Sequence, residues 1–111
     1  MSKRNPYRAL QDVLILAQLQ ASEGKGKERH GSGEPFEQQP ICVLTRQLGV
    51  GFPLGQATKK ILESQRLKAY PARSVAELLG AINYIAAAII VINEEALTKS
   101  KEKHRCIPTK D

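Results

Sequence analysis

The chain has no tryptophan, three tyrosines, two phenylalanines and one methionine among its 111 residues. A core built around large aromatic rings is therefore excluded, and whatever is buried must be aliphatic or small. The two cysteines, Cys42 and Cys106, are far apart and belong to no CxxC pair. That excludes a disulfide framework and fits free thiols in a reducing cytoplasm, where we expect the protein to reside. Neither cysteine stands near His30 or His104 at a zinc-ligand spacing, so no metal site is expected. The N-terminus reaches Pro6 and Arg8 before any apolar run, which is unlike a signal peptide.

Several motifs are absent as well. There is no Gly-x4-Gly-Lys-Ser/Thr loop for phosphates. Gly49, Gly51 and Gly55 follow an expected helix rather than a strand, and their spacing is wrong for a dinucleotide fingerprint. No Ser-His-Asp or Cys-His set can be assembled, and no cofactor is implied. His30 has only Glu28 and Glu34 nearby in sequence to orient it as a base. Glu94 and Glu95 are adjacent carboxylates suited to magnesium or to a solvated helix end. The paired carboxylates on each of two helices that helical pyrophosphohydrolases use are missing. No segment alternates as a strand does, and no internal repeat is visible.

What is present is one short chain, 1–111, patterned as a single all-α domain of about four helices. Asn5 suits an N-cap and Pro6 the first helical position. Tyr7, Leu10, Leu14, Ala17 and Ala21 then recur at helical spacing, with Val13 and Leu16 widening the stripe. A polar Gly-rich loop from Glu23 to Pro40 carries Lys25, Lys27, Arg29 and His30, and Phe36 is its one large apolar residue. Loops this long in a small domain are functional or disordered. Pro40 opens a short second helix that Gly49 caps. A third helix is expected from about Pro53 to Lys68, with Leu54, Ala57, Ile61 and Leu62 inward. Tyr70, Pro71 and Ala72 interrupt it.

The fourth helix is expected to start at a Ser74/Glu77 capping box. Leu78 to Ile92 is apolar almost throughout, yet shorter than the eighteen or so residues of a membrane span. A helix apolar all round must be buried all round. Three short helices cannot cover it, so a homo-oligomer is expected, with Gly80, Ala86, Ala87 and Ala88 permitting close approach between copies. Beyond it lies a basic tail, 100–111.

The formal charge is +6. A basic protein attracts phosphates on a polymer, a membrane surface or a small nucleotide. Lys59 and Arg66 are two helical turns apart and share a face. With Lys60 and the Lys25–His30 loop they are candidate phosphate contacts, and Asn83 and Tyr84 are candidates for a base. The glycines and cations of the loop would let it order over a bound anion.

From Gln39 to Ile85 the chain resembles a family of small bacteriophage proteins often labelled nucleotide kinases. The residues are Gln39-Pro40-Ile41, Gly51-Phe52-Pro53-Leu54-Gly55-Gln56-Ala57, then Lys59, Arg66 and Lys68, then Glu77-Leu78, Ala81-Ile82 and Tyr84-Ile85. The pattern has Asn where Gln56 stands; Gln56 is also among the ligand candidates, and Lys59, Arg66 and Lys68 carry over. It has Tyr at Lys60, Arg at Glu63 and Lys at Gly80. The resemblance implies a phage protein of the host cytoplasm that handles nucleotides. The residues favour a binding protein without catalysis, able to sequester a nucleotide signal of host defence. A nucleoside-monophosphate kinase and sequence-blind nucleic-acid binding through the basic tail are the alternatives.

Overall fold

A computed structural model describes residues 4–23 and 33–106, with side chains described as far as Lys101. It contains four α-helices and, among the described residues, no strand. They are α1 (Arg8–Glu23), α2 (Pro40–Leu48), α3 (Gly51–Arg66) and α4 (Pro71–Cys106), with a 3-10 turn at Phe36–Gln38 before α2. The all-α architecture and the long apolar C-terminal helix follow the patterning.

Helix boundaries obey local chemistry, with two departures from expectation. The Asn5 carboxamide oxygen accepts from the Tyr7 amide at 2.9 Å, the N-cap bond that residue was chosen for. Gly49 ends α2 at φ 90°, a conformation that glycine adopts without steric cost. By contrast, the Ser74/Glu77 capping box does not form. Pro71 starts α4 instead, where its missing amide is no loss, and the Ser74 amide already donates to the Tyr70 carbonyl. Ser74 Oγ donates to the Ser64 carbonyl at 3.0 Å, and Glu77 pairs with Lys60. The second departure is length. α4 continues to Cys106, 36 residues in all, so part of the expected tail is helical.

α4 is the axis of the fold. α3 makes the broadest contact with it, and α1 and α2 make narrower ones. Gly80, Ala81, Ala87, Ala88 and Val91 are buried on the side toward α2 and α3. The matching residues of α3 are Pro53, Ala57 and Ser64, and α2 supplies Cys42 and Thr45. The inward face of α3 is therefore the small-residue face. Leu54, Ile61 and Leu62, expected inside, stay 42–63% exposed. Small side chains on both helices allow the backbones to approach, and larger ones are turned out of the seam. Buried hydroxyls are satisfied locally: Thr45 Oγ1 donates to the Ile41 carbonyl and Ser64 Oγ to the Ile61 carbonyl.

This reassigns the small residues. Ala87 and Ala88 are 0% and 2% exposed within one chain, so they pack α4 against its own neighbours rather than against a second copy. α1 contributes only Ala17 to the buried core. Two side-chain amides tie it to α4: Asn83 Nδ2 donates to the Ala17 carbonyl at 3.0 Å and Gln20 Nε2 to the Ala76 carbonyl at 3.3 Å. By length and composition, the Pro71–Lys101 part of α4 is apolar enough to cross a membrane, with a peak mean hydropathy of 2.2 over eighteen residues. The shorter run read from sequence missed this because the helix extends beyond it at both ends.

Ala87→Leu should overfill the α4 core and destabilise the fold by about 1–3 kcal/mol. Urea unfolding followed by circular dichroism checks this; a midpoint equal to the parent's would place Ala87 outside the packed seam.

Candidate functional site

The sequence-derived candidates do not converge on one place. Lys25, Lys27, Arg29 and His30 lie outside the described residues, and with them the expected ordering of their loop. Lys59 and Arg66 are both exposed on α3, on the face away from α4. Arg66 makes a loose ion pair with Glu63, 3.7 Å away and one turn earlier. Gln56 is half-buried on the same helix.

Lys60 is committed elsewhere. Its ammonium is 3.5 Å from the Glu77 carboxylate and 6.0 Å from the centre of the Tyr84 ring. Tyr84 in turn meets Phe52 edge to face at 6.1 Å. Lys60 reaches this position by crossing Gly80. A Cβ on Gly80 would lie 2.9 Å from Lys60 Cδ. Lys60 and Gly80 thus form one contact, in which the missing side chain of one makes room for the other. Lys60 and Tyr84 brace the α3–α4 seam.

Asn83 faces the opposite way, toward α1, and there it borders a cleft of about 430 Å³. The end of α1, the middle of α4 and the segment leading into α2 enclose it. Leu14, Ala17, Phe36, Ile82 and Ala86 make apolar walls, and Gln18, Ser22, Gln39 and Asn83 add amides and a hydroxyl. Phe36, the one large apolar residue of the Glu23–Pro40 segment, is half-buried in this wall. The Gln39 amide is held by donating to the Glu34 carbonyl at 2.9 Å. Among the described residues, Glu34 is the one charged residue in the lining, and α3 contributes nothing to it. A cleft of this size, mostly apolar with a few oriented amides, suits a flat uncharged group such as a heterocyclic base. Sequence reasoning singled out Asn83 and missed Gln18 and Gln39. Both are polar positions in helical or turn segments, and only the approach of α1 to α4 makes them neighbours.

A second hollow, about 620 Å³, lies along the far half of α4 beside Arg46, Val91, Glu94 and Lys99. Its chemistry is already occupied. Arg46 donates to both Glu94 oxygens, at 2.8 and 2.9 Å, and to the Glu37 carbonyl. This fork joins α2 and the 3-10 turn to α4. Hydrogen bonding from Arg46 holds the Glu94 carboxyl below its ordinary range, and the same bond raises the Arg46 pKa. With Glu95 and Lys99 the charges of the described lining residues cancel. Glu94, one of the paired carboxylates considered for magnesium, is a helix clamp.

Cys42 is buried, and burial pushes its thiol pKa up although Arg46 pulls it down. A raised pKa keeps the thiol protonated and unreactive. Among the described residues, no group of three or more His, Cys, Asp or Glu side chains is placed to hold a metal ion. No family model, curated protein or solved structure matches the chain.

The lowered Glu94 pKa fixes a sign. Its folded value lies below its unfolded value, so its contribution to stability is complete above the unfolded pKa. That contribution is lost as pH falls through the folded one. Glu94→Gln should therefore melt below the parent at pH 7, and the gap should close in acid. A gap that persists at low pH would show that the carboxylate's charge is not what the clamp uses.

Proposed function

We propose that this protein is a non-catalytic binding protein for a nucleotide-like ligand, with the cleft between α1 and α4 as the seat of the base. The observation that carries the reading is the lining of that cleft: Phe36, Leu14 and Ile82 as apolar walls, with Gln18, Gln39 and Asn83 at its margin. Amides both donate and accept, which is what the edge of a base requires. The phosphate part of the reading is supported by the +6 charge; Lys59 and Arg66 stand on the far face of α3 and take no part in the cleft. The ligand class follows the partial resemblance, over Gln39 to Ile85, to small bacteriophage proteins often labelled nucleotide kinases. On this reading the protein acts in the cytoplasm of an infected host, and sequestering a nucleotide signal of host defence is the role that a binder without catalysis can fill.

Titration calorimetry against mono-, di- and cyclic nucleotides tests the proposal. At least one should bind, and Ala21→Trp, which fills the cleft from its rim, should weaken that ligand at least about tenfold, or 1.4 kcal/mol. Silence across the panel would refute a nucleotide ligand. Equal affinity in Ala21→Trp would move the site out of the cleft.

A further inference from the structure

The polar groups that border the cleft between α1 and α4 are not equally free to donate and to accept. Two of its carboxamides are tied to the backbone. Asn83 Nδ2 donates to the Ala17 carbonyl at 3.0 Å, and Gln39 Nε2 donates to the Glu34 carbonyl at 2.9 Å. A carbonyl oxygen only accepts, so the nitrogen end of each amide is the end held against the chain. Each amide then keeps both lone pairs of its oxygen but one N–H of its two. Ser22 goes the same way. Its hydroxyl donates to the Leu19 carbonyl at 3.4 Å, which uses its single proton and leaves lone pairs. All three residues line the cleft.

The rest of the described lining shifts the balance no further toward donors. Its one charged residue is Glu34, whose carboxylate is an acceptor as well. Gln18 is exposed on α1 and can turn either end of its amide to the space. The cleft therefore has apolar walls and a margin rich in acceptors and poor in donors. A ligand edge made of oxygens would set acceptor against acceptor there, and a polar group that gives up water without gaining a partner costs free energy. An edge made of N–H groups is the complement.

We infer that the cleft selects its base by an exocyclic amino group, preferring amino heterocycles of the adenine or cytosine kind to their keto counterparts, hypoxanthine and uracil. This rests on the reading of the cleft as the seat of a base. One amino nitrogen carries two N–H groups and can serve two acceptors, and Asn83 Oδ1 and Gln39 Oε1 are the acceptors that the backbone ties leave over. The keto counterpart has an oxygen at the same ring position and would bring it to the same margin. Glu34 opposes an anion in the lining, so the base rather than the phosphate is the end that enters.

Matched ligands test this on the full chain by titration calorimetry: adenosine against inosine monophosphate, and cytidine against uridine monophosphate. Sugar and phosphate are common to each pair, so the ratio of affinities reads the amino group. In a pair that binds, the amino member should bind at least about tenfold tighter. Gln39→Met, which removes an acceptor, should shrink that ratio, whereas Gln39→Glu, which keeps acceptor oxygens, should preserve it, both with the helical circular dichroism of the parent. Equal affinities within the pairs, or preference for the keto member, would overturn the inference and leave a base in the cleft. Loss of the ratio in both variants would overturn the role of the Gln39 oxygen, because both substitutions also break the tie to Glu34. Silence with all four ligands would instead remove the nucleotide reading, and this inference with it.

Discussion

An apolar helix cannot leave any side in water without cost, and that constraint on α4 arranges the rest of this protein. Its glycine and alanines admit α3 at close range, so α3 presents Pro53, Ala57 and Ser64 and turns Leu54, Ile61 and Leu62 away. α2 lies against the same side through Cys42 and Thr45. α1 takes the second side lightly, through Ala17 and two amide hydrogen bonds. The third side is left with its isoleucines uncovered.

The lightness of the α1 contact and the existence of the cleft have one cause. Were large side chains interdigitated between α1 and α4, no space would remain between them. Instead the helices meet at Ala17 and at amide-to-carbonyl bonds, and the gap above that contact is walled by Phe36 from the segment entering α2. Asn83 serves both needs, since its nitrogen holds α1 while the residue borders the cleft. On the other side of α4, Lys60, Glu77, Tyr84 and Gly80 close the seam so tightly that residues expected to meet a ligand act as braces. The Arg46–Glu94 fork does the same work farther along the helix.

Much of this was legible in the residues. Asn5, Pro40 and Gly49 marked helix ends because capping depends on bonds between near neighbours. The all-α class followed from helical spacing and the lack of alternating segments, and the long apolar fourth helix from its near-continuous apolar run. The starting point of α4 was misplaced because Ser74 and Glu77 have two possible sets of partners. The capping box is local, whereas Ser64 and Lys60 arrive only when α3 docks. Likewise the inner face of α3 was read from its largest apolar residues, although the seam admits only small ones.

The sequence by itself determined that there are four helices and roughly where they lie, that the core would be aliphatic or small, and that α4 carries more apolar surface than its three companions can cover. These follow from short-range hydrogen bonding and from composition. Only the tertiary structure decided which face of each helix turned inward, and thereby separated Asn83 from Tyr84, one residue apart and facing different neighbours. It brought Gln18 and Gln39 to one cleft, and it divided the apolar surface of α4 into a packed side and an exposed one. Those are choices about how helices approach one another, set by the volumes of side chains distant in the chain, and periodicity along a single helix does not contain them.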